Sequence, residues 1–472
     1  MNTKQQLLCC MMPAALVAAT AADLPTPAGF EFASGVPALD QAYQKARQTI
    51  AGDVKDGDFL AGLNWAQVWT RDTSYSVDMA CALLHPDVSK KTLLGLREEV
   101  QGIGECWYQD KCGHFAGWPN LTDAIVGATG AWSLYLVTGD RELLRPVYAR
   151  TVNSLKRAER DAFSTELGLF GGCSTFMESN SGYPKAYAMH GPMIAKTRAL
   201  STNLLYYRGY LVAARLAQLL GEDAAPWQAK ADALKAAINQ RLWLPAKGYY
   251  AYYLDADGQL QERMEGCGEA FAILYGVADA DKAQSILRKT PTAPCGFPCL
   301  WPQFPEWVNI KQKKNTADYY HNGMIWPFVE GYWAWAASRM KDVEVFGREL
   351  DALVKLSQNA TTFMEFYFPE NGEPGGSPRQ LWSGSGFLSM VYHGLFGMDF
   401  AEQGISFAPV VPANLDKLTL ANVKYRGSIL ALEVTGHGAK LASFELDGKP
   451  ATAFFDANLT GPHQIKIRMA AE

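Results

Sequence analysis

The sequence predicts an all-α domain of the (α/α)6 toroid type, followed by a small C-terminal antiparallel β domain. Helical periodicity recurs about twelve times between residues 38 and 397, and Gly-, Pro- and Asn-rich segments separate the repeats. After Met398 the pattern changes to short alternating runs, as expected for strands. Twelve helices pair into six hairpins, which is the content of six inner helices wrapped by six outer ones. We therefore expect a helical domain at 23–398 and a β-sandwich-like module at 399–472.

The first 22 residues predict an export signal. Lys4 supplies a short basic region, residues 7–18 are apolar, and Ala19-Thr20-Ala21 is a small-residue cleavage site. The apolar run is shorter than the roughly 20 residues that a membrane span needs, and Pro13 interrupts it. We therefore expect a periplasmic or secreted protein without a transmembrane helix.

Turn residues support the divisions between the expected helices. Gly139 can end one helix in a left-handed conformation and Asp140 can cap the next, and Gly221-Glu222-Asp223 serves the same purpose. The expected helices cover 38–52, 69–85, 89–104, 121–138, 141–161, 197–220, 225–241, 265–276, 280–290, 321–338, 341–358 and 380–397.

Long connections carry most of the Trp, Tyr, Gly and acidic residues. They are 106–120, 162–196, 242–264, 291–320 and 359–379. Long loops in a compact domain are usually functional. If these loops meet at one end of the helical domain, they form a deep cup with aromatic walls.

The C-terminal part predicts antiparallel strands. Alternating runs occur at 417–420, 429–434 and 464–467, and the turn signals Gly436-His437-Gly438 and Asp447-Gly448 separate them. The resulting module has about 70 residues.

Composition excludes several classes of protein. Of the 472 residues 48% are hydrophobic, which is enough for a large core and excludes a disordered or fibrous chain. The 43 Lys and Arg against 48 Asp and Glu give a net charge of −5 with mixed signs, which argues against a nucleic-acid-binding protein. The 13 Trp, 21 Tyr and 22 Phe lie largely beside Gly, Pro, Asn and charged residues, as they do in the walls of a binding site.

Cysteine spacing indicates disulfides rather than metal. Two of the nine cysteines lie in the export signal, and the seven that remain cannot all pair within one chain. Cys106 with Cys112 and Cys295 with Cys299 are plausible short-loop disulfides. Neither pair has CxxC spacing, no His cluster accompanies them, and no clustered Asp/Asn loop of the EF-hand kind is present. We expect neither a metal nor a cofactor.

Two clusters place an acid at the start of an expected helix. In Trp69-Thr70-Arg71-Asp72, an Arg and an Asp beside a Trp suit a sugar, because hydroxyls take bidentate polar contacts while the apolar face stacks on a ring. The segment 118–123 ends in Asp123 at the same kind of position. For both acids, stabilisation of a helix N-terminus is the alternative interpretation.

Two further clusters place an acid among apolar residues. Glu178 lies between Phe176-Met177 and a polar loop, where desolvation can raise the pKa of a carboxyl as a general acid requires. Glu365 lies among aromatic residues ahead of the helix that follows Gln380. The segment 318–328 adds an imidazole, an amide and rings. Two separated acids with aromatic walls are typical of glycoside hydrolysis.

These clusters, in this order, resemble the six-hairpin glycosidases. Trp69-Thr70-Arg71-Asp72-Thr73 resembles the Trp-x-Arg-Asp-Thr signature of the glucosidase domain of glycogen debranching enzymes, and 121–140 resembles their helix that ends in Tyr…Thr-Gly-Asp. Met177-Glu178 stands at the place of Trp-Met-Asp, and Gln380-Leu381-Trp382-Ser383 is similar to Gln-Ala-Trp-Ser. Glycoside hydrolase family 63 α-glucosidases and α-L-rhamnosidases belong to the same superfamily.

The resemblance implies roles for individual residues. It implies Glu178 as the general acid and Glu365 as the general base, with Asp123 as the alternative acid because Glu178 stands where the family has Asp. It also implies sugar contacts from Trp69, Arg71, Asp72, Asp123, Trp301, Tyr320, His321, Asn322, Trp326, Gln380 and Trp382.

The activity implied is that of an exo-acting, anomer-inverting glycoside hydrolase on an α-glucosidic bond of an oligosaccharide or other glycoside. Specificity for rhamnose or mannose needs no change of fold. An epimerase or polysaccharide lyase would depend on a His or Tyr base, and the chain has only seven His. A carbohydrate-binding protein without catalysis is the remaining alternative.

Overall fold

The computed structural model describes residues 29–100, 105–111, 122–177, 181–187, 191–307 and 319–470. The expected export signal and Glu178 lie outside these residues.

Twelve helices of seven or more residues form about half of the described chain before residue 398. They are α1 (Pro37–Gly52), α2 (Thr70–Ser76), α3 (Pro86–Gly95), α4 (Asp123–Thr138), α5 (Leu144–Ala162), α6 (Leu200–Leu220), α7 (Ala225–Leu242), α8 (Gly266–Leu274), α9 (Ala280–Lys289), α10 (Pro327–Arg339), α11 (Val343–Ser357) and α12 (Leu381–Ser389). Helix α2 continues through a π-helical segment, Val77–Cys81, into Ala82–Leu84, and α12 continues into a second π-helical segment, Met390–Leu395. Single turns occur at Arg141–Leu143, Gly191–Ile194 and Pro305–Trp307.

The even-numbered helices pack in a closed order. Helix α2 contacts α4, α4 contacts α6, α6 contacts α8, α8 contacts α10, α10 contacts α12, and α12 returns to α2. Each odd-numbered helix packs on the outside of this ring, for example α1 against α12 and α7 against α6. Helix α4 is apolar around its whole circumference and α5 is amphipathic, as inner and outer helices should be.

Glycines permit the closest contacts within the ring. A Cβ on Gly331 of α10 would lie 2.5 Å from the carbonyl oxygen of Gly386 in α12. A Cβ on Gly386 would lie 2.3 Å from the carbonyl oxygen of Pro327. The two helix backbones are therefore in contact at this crossing.

The even-numbered helices point the same way. The carboxyl-terminal portions of five of them, or of their extensions, line one cavity of about 120 Å³, and α6 contributes Arg208 from its middle. The contributors include Asp78, Ser133, Arg208, Tyr275, Arg339 and His393. The amino-terminal ends of the six helices consequently meet at the opposite end of the ring, which we call the site end.

Short antiparallel strands lie in the connections between the helices. The antiparallel pairs are Val54–Lys55 with Asp58–Phe59, Glu98–Val100 with Glu105–Trp107, Phe163–Ser164 with Leu169–Phe170, Trp243–Leu244 with Tyr249–Tyr250, Met264–Glu265 with Leu300–Trp301, and Phe366–Tyr367 with Pro374–Gly375. Tyr253–Leu254 pairs with both Arg198–Ala199 and Leu260–Gln261.

Two expected helices are shorter than predicted. The helix expected over 321–338 begins only at Pro327, after a turn that contains His321 and Asn322. The sequence predicted a helix over 89–104, but α3 ends at Gly95 and Glu98–Val100 begins a hairpin. In the sequence Gly102 and Gly104 follow this strand, and glycine favours turns over helix.

The β module begins at residue 398. Its strands are β2 (Met398–Ala401), β3 (Gly404–Phe407), β4 (Lys417–Tyr425), β5 (Ser428–Thr435), β6 (Leu441–Leu446), β7 (Lys449–Pro450), β8 (Phe454–Asp456) and β9 (Gly461–Met469), and an amino-terminal strand β1 (Glu31–Ala33) joins them. One sheet has the order β1-β4-β5-β9-β6-β7 and the other β2-β3-β8. Neighbouring strands in these two sheets are antiparallel except β5 and β9, which are parallel.

The predicted helical domain and β module are confirmed in these coarse terms, since the helices precede residue 398 and the long strands follow it. Strand β1 is the exception, because it lies before the helical domain in sequence and within the β module in space. In the described part of the chain, none of the helices is long and apolar enough to cross a bilayer.

The disulfide expected between Cys295 and Cys299 is absent. Cys299 is buried and its Sγ donates to the carbonyl oxygen of His321 at 3.2 Å, whereas Cys295 is half-buried. Cys106 is a free thiol, and its expected partner Cys112 lies outside the described residues.

Candidate active site

The amino-terminal end of α2 is capped by a side chain from another segment. Asp110 Oδ1 accepts hydrogen bonds from the backbone N of Thr70 at 2.5 Å and from its Oγ1 at 2.6 Å. This cap satisfies a helix N–H that Trp69, at the N-cap position, leaves without a side-chain acceptor. Arg71 and Asp72 are thereby presented at the site end.

Arg71 joins the first two sequence clusters. Its Nε lies 2.5 Å from Asp123 Oδ1 at the start of α4, and its Nη1 donates to the carbonyl oxygen of Thr175 at 3.1 Å. The ring of Trp69 lies 6.0 Å from the guanidinium carbon. Both members of the ion pair are almost completely buried. The guanidinium therefore favours the ionised form of Asp123.

Asp72 lies between Gln380 and Glu365. Gln380 Nε2 donates to Asp72 Oδ1 at 3.1 Å. Burial raises the pKa of Asp72 to about 8, Arg71 opposes the rise, and the charges of Glu365 and Asp110 add to it. At neutral pH the Asp72 carboxyl is therefore largely protonated and can donate a hydrogen bond.

Three donors hold the Glu365 carboxylate. Its Oε1 accepts from Trp65 Nε1 at 2.8 Å and from the hydroxyl of Tyr320, and its Oε2 accepts from the backbone N of Ser377 at 2.7 Å. Only 2% of the residue is exposed. Donation to both oxygens fixes the orientation of the group and favours its anionic form.

Gly376 makes the contact with Ser377 possible. Its φ is +74°, and a Cβ would lie 2.2 Å from Glu365 Oε2. A residue with a side chain could neither adopt this conformation without strain nor leave space for the carboxylate. From the sequence, Gly376 was predicted only to lie in the long connection 359–379, and no contact with Glu365 was assigned to it.

Aromatic rings pack together next to Tyr320, whose hydroxyl contacts Glu365. Trp382 stacks on Phe328 with ring centroids 4.2 Å apart, and Trp326 lies edge-on to both Tyr320 and Phe176. Trp326 Nε1 donates to the carbonyl oxygen of Tyr320 at 3.2 Å. In the described residues no acceptor lies within hydrogen-bond distance of the buried Trp382 Nε1. A sugar hydroxyl at this position would supply one.

Other predicted residues have structural contacts. The Asn322 amide accepts from the backbone N of Phe304 at 2.7 Å and donates to its carbonyl oxygen at 3.0 Å, so it holds a loop in place. His321 is buried, its backbone N donates to Ser181 Oγ at 3.1 Å, and its ring stands edge-on to Phe176. Trp301 is half-buried in the strand that pairs with Met264–Glu265.

Sequence reasoning missed Trp65, Asp110 and Ser377. Trp65 lies in a Gly-Leu-Asn-Trp loop, which is a composition typical of the other aromatic clusters, and this signal could have identified it. The contributions of Asp110 and of the Ser377 backbone depend on tertiary contacts that have no local signature. Glu178 and residues 118–121 lie outside the described residues, so the distance between Glu178 and Glu365 stays a prediction.

Within the described ranges, no group of three or more His, Cys, Asp or Glu side chains is arranged to hold a metal ion.

Comparison with known families identifies the domain. The sequence profile of the family described as mannosylglycerate hydrolase MGH1-like glycoside hydrolase domain matches residues 119–383, more than half of the chain. The chain belongs to this family. A second profile, the glycosyl hydrolase family 65 C-terminal domain, matches residues 398–456 of this MGH1-like protein. No curated protein sequence matches the chain.

Solved structures share the fold of this MGH1-like chain at low sequence identity. A sialidase is 16% identical with a TM-score of 0.71, over 90% of this chain and 41% of its own. The GH78 rhamnosidase of a Bacillus species is 16% identical with a TM-score of 0.60, over 94% and 44%. The GH63 mannosylglycerate hydrolase from Thermus thermophilus in complex with glucose is 15% identical with a TM-score of 0.58, over 74% and 100%.

The MGH1-like chain thus spans less than half the length of the sialidase and rhamnosidase chains it resembles. The expected relationship to the six-hairpin glycosidases is confirmed, and so is the presence of a glycoside hydrolase domain. The match favours hydrolysis over the epimerase and lyase alternatives.

Proposed function

We propose that the protein is an exo-acting glycoside hydrolase that cleaves a terminal α-glycosidic bond with inversion of the anomeric carbon, and that an α-glucoside is its substrate. The observation that carries this proposal is the Glu365 carboxylate. It is buried and oriented by three donors, as a general base facing a sugar must be.

The fold proposal that accompanies it is an (α/α)6 toroid. The closed order of the even-numbered helices corresponds to its inner layer and the odd-numbered helices to its outer layer. The site then lies at the end of the toroid where the inner helices begin.

Glu365 activates a water molecule in the proposed mechanism. The carboxylate takes a proton from the water as the oxygen attacks the anomeric carbon, while the acid on the opposite face protonates the leaving oxygen. The two carboxyl groups of an inverting enzyme lie about 6.5–9.5 Å apart to leave space for that water, and a retaining enzyme has about 5 Å.

Glu178 is the proposed acid, and the environment of Asp123 supports this choice. A general acid must be protonated before the reaction, but Asp123 is paired with Arg71 at 2.5 Å, which favours its charged form. Glu178 follows Phe176 and Met177 in the sequence, and both of these apolar side chains are buried.

The remaining polar groups recognise the sugar. The protonated Asp72 donates a hydrogen bond to a sugar hydroxyl, and the Gln380 amide and Trp382 Nε1 offer further polar contacts. The Arg71–Asp123 ion pair binds other hydroxyls of the sugar. Trp69 and Tyr320 contribute ring surface, whereas the predicted sugar contact Trp326 is fully buried and packs against Tyr320. His321, Asn322 and Trp301 shape the loops around them.

Export to the periplasm or the medium is proposed from residues 1–22 alone.

An α-mannoside or an α-L-rhamnoside is the second candidate substrate. It is supported by the family match and by the structural similarity to a mannosylglycerate hydrolase and to rhamnosidases.

A panel of 4-nitrophenyl α-D-glucoside, α-D-mannoside and α-L-rhamnoside tests the proposal, with NMR detection of the first anomer released. We expect cleavage of the glucoside and a β-anomer as the first product. Retention of configuration would contradict the inverting mechanism. Hydrolysis of only the mannoside or only the rhamnoside would show that this sugar, and not glucose, is the substrate. Glu365→Gln should lower kcat by about 10²–10⁴-fold, and activity that survives this substitution would exclude Glu365 as the base.

A further inference from the structure

A buried carboxylate behind the site fixes the segment that leads to Glu178. Glu265 is fully buried at the N-cap position of α8. Its Oε1 accepts hydrogen bonds from the hydroxyls of Ser174 and Ser201, and its Oε2 accepts from the backbone N of Ser201 at 3.0 Å. Three donors from two segments therefore meet on one side chain.

Ser201 transmits this contact to Thr175. The Ser201 hydroxyl donates to Glu265 and consequently presents its lone pairs to the backbone N of Thr175, at 3.1 Å. Without Glu265 the hydroxyl could rotate and lose this orientation. The first turn of α6, which contains Ser201, thus holds the segment before Glu178 in place.

Thr175 in turn holds Arg71. Its carbonyl oxygen accepts from Arg71 Nη1 at 3.1 Å, and its hydroxyl is hydrogen-bonded to that of Tyr75 in α2. A continuous series of hydrogen bonds therefore runs from Glu265 through Ser201 and Thr175 to the Arg71–Asp123 ion pair. The same backbone continues through Met177 into Glu178.

The other polar groups of the segment are also bonded to surrounding side chains. The backbone N of Ser174 donates to the hydroxyl of Tyr183 at 2.7 Å, and the carbonyl oxygen of Cys173 accepts from the hydroxyl of Thr202. The segment is therefore held by a hydrogen bond at each residue from 173 to 175. Such pre-organisation is what a catalytic acid requires.

We propose that Glu265 is a positioning residue that sets the geometry of both Arg71 and the acid-bearing segment. The inference rests on the proposed function where it concerns Glu178, and on described contacts alone where it concerns Thr175 and Arg71. Burial raises the pKa of Glu265 to about 7, and the hydrogen bonds from Ser174 and Ser201 oppose the rise.

Glu269 provides a matched control. It is fully buried on the same helix, one turn further along, and accepts from the backbone N of Tyr250 at 2.9 Å instead of from the acid-bearing segment. Glu265→Gln leaves at least one of its three donors without an acceptor in either amide orientation, whereas Glu269→Gln keeps an oxygen for its one donor. Ser201→Ala is a second variant that removes only a hydroxyl.

The first measurement is amide hydrogen exchange at Ser174 and Thr175, which needs no substrate. We expect exchange about tenfold faster or more in Glu265→Gln and in Ser201→Ala, and unchanged exchange in Glu269→Gln. Equal exchange in Glu265→Gln and Glu269→Gln would overturn the proposal, and so would unchanged exchange in all variants.

The second measurement is the ratio of kcat/KM for the 4-nitrophenyl and methyl α-glycosides of glucose, mannose and rhamnose. A 4-nitrophenolate leaves without protonation, so misplacing the acid should raise this ratio by about tenfold in Glu265→Gln, as in Glu178→Gln, and not in Glu269→Gln. Equal losses on both leaving groups would indicate a purely structural role for Glu265.

The two measurements separate the two proposals. If Glu178→Gln leaves the ratio unchanged, or if no glycoside is cleaved, the proposed acid or the proposed function fails. The exchange experiment still decides whether Glu265 positions Thr175.

Discussion

At the scale of single residues, the site depends on carboxylates whose protonation is set by different surroundings. Glu365 is held by three donors, and Asp123 is paired with a guanidinium, so both favour the charged form. Asp72 is buried beside other acids, and its pKa rises to about 8. Asp72 can therefore donate a hydrogen bond, whereas Glu365 and Asp123 accept hydrogen bonds.

Gly376 offers a test of the Glu365 geometry. Gly376→Ala should abolish most activity, because the new Cβ would lie 2.2 Å from Glu365 Oε2, and should cost about 1–2 kcal/mol in the free energy of unfolding through its positive φ. Gly258→Ala is the control: its φ is +77°, but no atom lies within 4 Å of its Cβ position. Both variants should lose similar stability in denaturant titrations, and only Gly376→Ala should lose turnover. Comparable turnover in the two variants would contradict the account.

At the scale of elements, the helices of the ring touch where side chains are absent. Their amphipathic or apolar character could be predicted from sequence, and about twelve helices were predicted where the described chain contains twelve of seven or more residues. Their mutual contacts could not, because a glycine in an apolar helix does not specify which neighbour approaches it. The end of α3 was also not predicted correctly, because the helix stops at Gly95, before the end that periodicity predicted.

Gly386 tests the contact between α10 and α12. Gly386→Ala would place a methyl group 2.3 Å from the Pro327 carbonyl oxygen, so we expect a loss of about 1–3 kcal/mol in the free energy of unfolding. Gly191→Ala, where no atom lies within 4 Å of the new Cβ, should be close to neutral. Thermal unfolding of the two variants distinguishes them. Equal melting temperatures would show that α10 and α12 can move apart without a loss of stability.

At the scale of the whole molecule, strand β1 connects the β module to the helices. Phe32 in β1 is buried, its ring lies 4.8 Å from that of Tyr43 in α1, and 6.2 Å from that of Phe396, which follows α12. Arg426 Nη2 in the turn after β4 donates to the carbonyl oxygen of Leu136 in α4 at 3.1 Å. The two parts of the chain therefore share a core.

Phe32→Ala should destabilise the protein by about 3–5 kcal/mol, because it removes a buried ring shared by both parts. Ile429→Ala, in a side chain that is 47% exposed on β5, should change stability by less than about 0.5 kcal/mol. Chemical denaturation measures both values. A loss confined to the β module, with the helical signal unchanged, would show that the two parts unfold independently.

Three buried carboxyls should lower stability as pH rises from about 4 to 8, whereas His85, whose pKa burial lowers to about 4, contributes in the opposite direction. Burial raises the pKa of Asp53 to about 7, of Glu265 to about 7 and of Asp72 to about 8, all above the values of the unfolded chain. The folded state thus binds more protons than the unfolded state in this window, and these groups stabilise it at low pH and lose that contribution as the pH increases. Melting temperatures across the window should decline less steeply in Asp72→Asn. An unchanged slope in this variant would contradict the high pKa of Asp72.

The amino-acid sequence by itself predicted the helical domain, the β module, the candidate catalytic carboxyls Glu178 and Glu365, and the relationship to the six-hairpin glycosidases. These predictions depend on periodicity and on short motifs. The tertiary structure decided which groups meet. Arg71 and Asp123 are far apart in the chain, as are Trp65 and Glu365, and only the packing of helices brings each pair within hydrogen-bond distance. It also assigned Asn322 to a loop contact and Asp110 to a helix cap, since a polar side chain does not reveal its partner until the fold supplies one.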